Sequence, residues 1–579
     1  MTTFRVWAPR ADRVELDVGG RKLLMRDGGG GWHEATLGDA GPGTDYAFAL
    51  DGSDLLPDPR SAFQPYGVSG PSRVIDHADF AWSDESWSGF YLPSAVLYEL
   101  HVGTFSPEGT FDGAIARLDH LVDLGVTAVE LLPVAEFPGT RNWGYDGVCL
   151  YAPHHGYGGP EGLKRLVDAC HARGLGVVLD VVYNHLGPEG NHLERFGPYF
   201  TAFYATPWGQ AVNFDQRGSD EVRRFVVDNA IGWLRDYHID GLRVDAVHAI
   251  VDTSATHVLE QLATEVGELA ACENRSLWLI AESDLNAPRV VRSREVGGYG
   301  IHAQWSDDFH HALHAVLTGE VQGYYGDFGS MADLATALEA AWVYAGRWSG
   351  FRQRVHGRPP TGLPGWTFLG YLQNHDQVGN RAVGDRIGHG LATGRLKVGA
   401  ALYLTAPFVP MVFQGEEWAA SAPFQYFTSH QDPELGRLVR QGRRAEFAAF
   451  GWSADEVPDP QEPATFERSK LDWEELAAPI HAEVLSWYRR LIALRRSTPG
   501  LSDGRLDRVS VRYHEVAQWL VVERGQLRVA ANLGANPVEV ELGTGAEARV
   551  LLASDDRITV ASGRVALPPD SVVIFGPTA

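Results

Sequence analysis

The chain has 579 residues, of which 44% are hydrophobic and 21% charged, and its formal net charge is −25. At about 150 residues per domain, this length predicts several domains, or fewer if one is a large α/β barrel. The acidity disfavours nucleic-acid partners, because binding to phosphate depends on clustered Lys and Arg. The sequence has neither an apolar run that could span a bilayer nor a signal-peptide core, so we expect a cytoplasmic protein with no membrane partner.

Three cysteines, Cys149, Cys170 and Cys272, lie far apart in the chain. Their spacing matches neither a disulfide framework nor a zinc site, so we expect buried or idle thiols. The sequence also shows no convincing calcium cage, so we predict no metal-binding residues.

Residues 1–88 show short segments with alternating apolar residues. Phe4, Val6 and Ala8 fall on one face of such a segment, and Gly-rich turns at 19–20 and 28–31 interrupt the pattern. Short alternating strands joined by Gly-rich turns predict an immunoglobulin-like β-sandwich.

From residue 89 to 498 the pattern changes to alternating strands and helices, which predicts a (β/α)8 TIM barrel. Leu163, Leu166, Val167 and Cys170, for example, recur at helical spacing. Eight strands are predicted: 96–102, 128–132, 177–182, the strand ending at 245, 277–281, 302–305, 368–373 and 410–413.

Two long inserts, 187–213 and 346–365, are predicted to be active-site loops, because function in barrels concentrates on the loops after strands. Alternation returns in 499–579 and predicts a C-terminal β-sandwich.

Three carboxylates follow short apolar runs: Asp245 after GLRV, Glu282 after LWLIA, and Asp376 after LGYLQNH. The carboxyl ends of parallel barrel strands form one face, so these acids are predicted to meet there. Paired acids at such a site are the arrangement that cleaves glycosidic bonds, and neighbouring strands about 4.8 Å apart can meet the 5–5.5 Å spacing of a retaining enzyme.

Alternation along the strands also separates the roles of two of the acids. Arg243 shares a strand face with Asp245, and an adjacent guanidinium favours an ionised carboxylate, as a nucleophile requires. Glu282 shares a face with Trp278 and Ile280, and an apolar setting favours a protonated acid. We therefore predict Asp245 as the nucleophile and Glu282 as the general acid/base.

Four segments in this order resemble the recurring motifs of glycoside hydrolase family 13, the α-amylase family: 180–185 (DVVYNH), 241–245 (GLRVD), the strand ending at Glu282, and 373–376 (QNHD). The resemblance implies that Asp376 stabilises the transition state and that no cofactor is needed. It implies these substrate-binding residues: Tyr145, His185, Arg243, His248, Asp308, His311, His375, Gln377, Asn380, Tyr426 and Phe427. It also makes the N-terminal sandwich similar to a glucan-binding module.

Within that family, the N-terminal sandwich and residues 98–105 (YELHVGTF) resemble the glycogen-branching and trehalose-releasing branches. Further segments, 130–139, 281–286, 307–311, 413–418 and 425–430, resemble the trehalose-releasing branch. This resemblance implies hydrolysis of the α-1,4 bond beside the terminal trehalose of malto-oligosyltrehalose, with malto-oligosyltrehalose synthase as pathway partner. Ser429 departs from the pattern, because we expect an acidic residue at that position.

Two alternatives stay open. A glycogen-branching enzyme would carry the same carboxylates and transfer the glucan to a sugar hydroxyl instead of water. A catalytically idle glucan-binding protein would use the N-terminal sandwich, but it should lack one of the barrel acids, and all three are present.

Overall fold

The computed structural model describes residues 1–448, 457–542 and 548–577. Its centre is a closed barrel of eight parallel strands that are neighbours in chain order. They are Leu97–Leu100, Ala128–Leu131, Gly176–Val181, Gly241–Val244, Trp278–Ala281, Ala303–Trp305, Phe368–Tyr371 and Val409–Phe413. All eight predicted strands are confirmed, and the prediction of a TIM barrel with them.

The barrel strands have two buried faces, as their continuous apolar character predicts. Leu242 and Val244 belong to the cluster that packs with the surrounding helices, whereas Ile280 and Trp278 belong to the cluster inside the barrel. The register places Arg243 beside Asp180 on one side and beside Ile280 on the other. The inward face of these strands therefore leads from an apolar floor up to the charged residues.

Helices surround the barrel. Gly159–His171 shows why they form there: Leu163, Leu166, Val167 and Cys170 are all buried on one face, as their spacing predicted. The α-helices are Val102–Phe105, Phe111–Ile115, Leu118–Leu124, Gly159–His171, Leu193–Phe196, Ser219–Asp236, Val258–Glu273, Asp307–Thr318, Met331–Ala340, His375–Gly379, Ile387–Gly390, Thr393–Leu404, Pro433–Ala448, Pro463–Arg468, Pro479–Ser497 and Pro499–Ser502. Across the described ranges, no helix is long and apolar enough to cross a membrane.

Three antiparallel hairpins rise from loops that follow barrel strands. Phe200–Thr206 pairs with Gly209–Val212 after the third strand, and Ala345–Ser349 pairs with Arg354–Gly357 between the sixth and the seventh. The third, Ala135–Glu136 with Cys149–Pro153, follows the second strand. The two long inserts predicted as loops thus contain regular structure on the side of the barrel where the strands end.

Antiparallel sheets flank the barrel in the sequence, two at each end, as predicted for the sandwiches. The N-terminal sheets consist of Thr2–Trp7, Trp32–Leu37 and Arg26–Gly29, and of Arg21–Leu24, Val14–Val18, Asp45–Leu50 and Ser72–Arg73. The C-terminal sheets consist of Val509–His514, Trp519–Arg524, Leu527–Asn532, Ser571–Pro577 and Ala548–Ala553, and of Val538–Glu541, Arg564–Leu567 and Thr559–Ala561. The domain boundaries 1–88, 89–498 and 499–579 stay a prediction.

Candidate active site

A cavity of about 1090 Å³ opens where the barrel strands end. Asp245, Glu282 and Asp376 all line it, so the three strand ends bring the predicted acids together. Seven of the predicted substrate-binding residues also line the cavity: Tyr145, His185, His248, His311, Gln377, Asn380 and Tyr426.

Arg243 lies beneath the cavity and links the acids. Its Nη1 donates to Asp180 at 2.6 Å and to Asp245 at 2.8 Å, while its Nη2 donates to Glu282 at 2.8 Å. The guanidinium is fully buried and lies 4.2 Å from the centre of the Trp305 ring. Because a buried cation between carboxylates stays charged, Arg243 fixes the positions of Asp245 and Glu282.

Glu282 has two donors on one oxygen. Arg243 and the backbone N–H of Ala246 both donate to its Oε2, the latter at 2.9 Å. Burial raises the pKa of Glu282, and the negative charge of Asp245 adds to the rise against the opposing charge of Arg243. A carboxyl group with a raised pKa can hold a proton under mild conditions, which a general acid requires.

Asp245 is tied down on both oxygens. Asn184 Nδ2 donates to its Oδ2 at 2.9 Å, and Arg243 donates to its Oδ1. These two donors hold both oxygens in place, and 10% of the side chain stays exposed. It is therefore placed as an oriented carboxylate.

Asp376 belongs to a second network, around His375. The His375 ring Nε2 lies 3.4 Å from Asp376 Oδ2 and 2.7 Å from the Tyr145 hydroxyl. On its other side the ring Nδ1 and the backbone N–H of His375 both meet Glu99, a fully buried acid. The charges of Asp376 and Glu99 raise the pKa of His375 to about 9 against the effect of burial, so the ring is cationic at neutral pH.

His185 and Trp208 form another part of the cavity wall. The two rings are stacked, with centroids 4.7 Å apart and an angle of 11° between their planes. Burial lowers the pKa of His185, and its Nε2 lies 3.0 Å from the Tyr145 carbonyl oxygen. A neutral imidazole beside an exposed indole provides an apolar surface of the kind on which sugar rings stack.

The wall after the sixth strand carries paired charges and aromatic rings. Glu320 is held by both Nη atoms of Arg381 at 2.8 Å, and Arg352 donates to Asp284 at 3.0 Å. His311 stacks on Tyr324 at 4.7 Å. Such alternating rings and fixed polar groups can bind a carbohydrate through its faces and its hydroxyls.

Four predicted residues do not line the cavity. Arg243 and His375 lie beneath it, where they contact the acids that do line it. Asp308 lies behind it, where its Oδ2 accepts from the backbone N–H groups of Val343 and Tyr344 at 2.7 Å. Phe427 is fully buried and packs on Phe424 and Phe466 among other rings. Of the neighbouring residues Asp307 and Asp308, it is Asp307 that lines the cavity.

Ser429 also lies outside the cavity. Its hydroxyl oxygen accepts from the backbone N–H of Thr140 at 2.7 Å and of Arg141 at 3.0 Å. Ser429 thus anchors the loop that leads to Trp143 and Tyr145, two residues of the cavity wall.

Among the described residues, one group has the spacing to hold a metal ion: Glu136, His154 and His155. Its ligand atoms are already engaged, however. His155 Nδ1 bonds Glu136 at 2.8 Å, while His154 Nδ1 accepts from Gly156 N–H and its Nε2 faces the Gly139 carbonyl oxygen at 3.2 Å. Both nitrogens of His154 therefore lack a free lone pair, so the group is an internal hydrogen-bonded cluster.

Several residues of the site were not predicted from the sequence. Two of them could have been found from the sequence, because polar residues after apolar strands mark the mouth of a barrel. Asn184 lies inside the DVVYNH motif, and Glu99 follows the buried run at 96–98. Asp284 lies in the segment 281–286, but no role was predicted for it. Segments without such a pattern contain the other residues: Glu320, Tyr324, Phe351, Arg352 and Arg381.

Comparisons with known proteins agree with this geometry. Residues 75–199 match the family described as alpha amylase, catalytic domain, and residues 504–574 match a domain of unknown function. A malto-oligosyltrehalose trehalohydrolase from Arthrobacter ramosus is 54% identical over 93% of this chain and 94% of that protein. A protein of the same description from Mycobacterium tuberculosis is 51% identical over 93% of both chains.

A solved structure from Salmonella typhimurium, assigned as an alpha amylase, superposes with a TM-score of 0.91 at 39% identity and covers 99% of this chain and 97% of that one. Since the similarity to the curated relatives spans nearly the full length of both proteins, the chain belongs to the family of malto-oligosyltrehalose trehalohydrolases, whose catalytic domain is that of the α-amylases.

Proposed function

We propose that the protein hydrolyses the α-1,4 bond beside the terminal trehalose of malto-oligosyltrehalose and releases trehalose and a malto-oligosaccharide. The observation that carries the chemistry is that one buried guanidinium, Arg243, contacts both Asp245 and Glu282 at the cavity floor. The substrate is that of the family to which the chain belongs.

In the first half of the reaction, Asp245 attacks the anomeric carbon of the sugar that precedes trehalose. The bond from that carbon to the trehalose oxygen breaks as the bond to Asp245 forms, and Glu282 transfers its proton to the departing oxygen. Arg243 supports both steps, because it holds the carboxylate of Asp245 in place and contacts the acid that gives up the proton.

In the second half, Glu282 is ionised and removes a proton from water, which attacks the same carbon. The ester bond to Asp245 then breaks, and the malto-oligosaccharide leaves with its original α configuration. Two displacements at one carbon give retention, and two carboxylates held by one guanidinium support this arrangement.

Asp376 and His375 act on the same sugar. A sugar ring that approaches an oxocarbenium ion gains from nearby negative charge and from hydrogen bonds to its hydroxyl groups. Asp376 lies at the cavity, and the cationic His375 beneath it fixes the carboxylate.

The test compares two reactions of the purified protein. With maltotriosyltrehalose we expect free trehalose, and proton NMR during the first minutes should show the new reducing end as the α anomer. The rival glycogen-branching enzyme would instead form α-1,6 bonds from a linear glucan. Such branches without release of trehalose would overturn the proposal, and an initial β anomer would overturn the retaining mechanism.

The proposal also gives the protein a place beside a second enzyme. Malto-oligosyltrehalose must be formed before it can be cleaved, so we propose malto-oligosyltrehalose synthase as the pathway partner that supplies it. The cytoplasmic location expected from the sequence stays a prediction.

A further inference from the structure

The carboxylates of the cavity differ in their partners. Six of them lie within 4.0 Å of a nitrogen of Arg or His: Asp146, Asp245, Glu282, Asp284, Glu320 and Asp376. Asp307 also lines the cavity, yet it forms no ion pair within the described parts of the chain. A carboxyl group that faces a binding cavity without a cation has hydrogen-bonding capacity left for a ligand.

Asp307 is also held in place. The hydroxyl of Tyr371, a fully buried residue, donates to its Oδ1. The second oxygen, Oδ2, accepts no hydrogen bond from the described residues. One oxygen is thus fixed by the barrel wall while the other remains available in the cavity.

The position in the barrel places Asp307 beside the reacting bond. It follows the sixth strand, which lies between the fifth strand, ending at Glu282, and the seventh strand, which leads to Asp376. Under the proposed function Glu282 protonates the oxygen of the departing trehalose. The first sugar of that trehalose must therefore occupy the space beside Glu282, on the wall that includes Asp307.

The protonation equilibrium of Asp307 suits a ligand that carries hydroxyl groups. Burial raises its pKa to about 7, and the nearby carboxylates of Glu282, Asp284 and Asp376 add to the rise. A carboxyl group that exchanges its proton near neutral pH can either accept or donate a hydrogen bond to a hydroxyl group.

We propose that Asp307 is a specificity-determining residue that binds a hydroxyl group of the first sugar on the leaving side, and that Tyr371 positions it. This inference rests on the proposed function, because the leaving group must be a sugar. It adds a fourth carboxyl group with a role distinct from that of Asp245, Glu282 and Asp376.

The experiment compares two substrates that share the glucan part. With maltotriosyltrehalose the leaving group is trehalose, a sugar. With 4-nitrophenyl α-maltotrioside the leaving group is 4-nitrophenolate, which has no sugar hydroxyls. For Asp307→Ala we expect kcat/KM for maltotriosyltrehalose to fall about 10- to 100-fold, the usual effect of losing one hydrogen bond to a charged group. The loss with the aryl substrate should be at least tenfold smaller.

Two further variants separate binding from folding. Asp307→Asn has almost the same volume and keeps polar atoms at the site, so its loss should be smaller than that of Asp307→Ala. Tyr371→Phe removes the positioning hydroxyl and should shift the ratio of the two kcat/KM values in the same direction, by less. Asp507→Asn, at an exposed ion pair with Arg505, is the matched control and should leave the ratio unchanged.

Thermal unfolding of each variant shows whether it is folded, and if Asp307→Ala is not, Asp307→Asn and Tyr371→Phe carry the test. An equal loss with both substrates, or no loss with maltotriosyltrehalose, would overturn the inference. Failure of the proposed function is distinguishable from this, because the unsubstituted protein itself would then release no trehalose.

Discussion

Glu99 accepts two hydrogen bonds from His375, one from its backbone N–H at 3.0 Å and one from its ring Nδ1. Both side chains are 1% exposed, so neither charge is shielded by water. Glu99, in the first barrel strand, therefore fixes the ring of His375, which contacts Asp376 in the short helix after the seventh strand. Two residues that are far apart in the sequence thus support the position of Asp376, the third of the predicted acids.

Glu99→Gln should remove part of the charge stabilisation of the His375 ring, because the charge of Asp376 stays in place. The pKa of His375 is about 9 in the folded protein, above its ordinary value of about 6.5, so the stabilisation is fully present below pH 6.5 and disappears as the pH rises through 9. The full shift of the His375 pKa, to which Glu99 and Asp376 both contribute, corresponds to a stabilisation of the folded protein on the order of 3 kcal/mol. Thermal midpoints of the wild type and Glu99→Gln should therefore differ most at pH 6 and converge towards pH 10.

The matched control for this experiment is Glu483→Gln, which removes an exposed partner of Lys397. Its midpoint should follow that of the wild type at every pH, because exposed pairs contribute little. If the curves of Glu99→Gln and the wild type run parallel between pH 6 and 10, the charge of Glu99 does not stabilise the His375 cation.

Glu282→Gln should separate proton donation from nucleophilic attack. With maltotriosyltrehalose the leaving oxygen needs a proton, so we expect kcat/KM to fall by about 10³-fold or more. The fluoride ion of α-maltotriosyl fluoride needs no proton to leave. With this substrate the decrease in the rate of the first step should therefore be at least tenfold smaller. Burst kinetics with the fluoride would measure that step, and equal losses with both substrates would contradict the assignment of Glu282.

The pH dependence of the unsubstituted protein should report the same residue. Glu282 must be protonated to act as an acid, and burial together with the charge of Asp245 raises its pKa above the ordinary value of about 4.3. The rate of the first step with maltotriosyltrehalose should therefore decrease only at a pH above that value. With the fluoride substrate this decrease at higher pH should be absent. If the rate with the fluoride falls in the same way, a group other than Glu282 causes the pH dependence.

The sequence predicted the barrel and the three acids because both depend on local patterns. Buried parallel strands read as apolar runs, and an acid directly after such a run must lie at the strand end. Arg243 and Asp245 could likewise be placed on one face from alternation alone.

Contacts between distant strands could not be predicted in this way. Glu99 and His375 are 276 positions apart, so only the closed barrel brings them together. Local pattern likewise did not distinguish Asp307 from Asp308. Only the folded chain shows that the backbone N–H groups of Val343 and Tyr344 hold Asp308 behind the cavity.

Ser429→Ala should weaken the loop at residues 139–142 and leave the chemistry intact. The backbone N–H groups of Thr140 and Arg141 would lose their acceptor, which costs about 1–2 kcal/mol of stability because both groups keep some access to water. Since this loop leads to Trp143 and Tyr145, we expect KM for maltotriosyltrehalose to rise about two- to fivefold with kcat nearly constant. Thermal unfolding and steady-state kinetics measure the two effects.

Ser429→Asp provides the decisive comparison, because its carboxylate can accept from the same two N–H groups and should restore both stability and KM. Ser497→Ala is the control: the exposed hydroxyl of Ser497 donates to carbonyl groups of its own helix. A loss of kcat in Ser429→Ala, with KM and stability unchanged, would instead mean that the hydroxyl acts on the reacting sugar. The structure argues against that outcome, because Ser429 lies outside the cavity that Asp245 and Glu282 share.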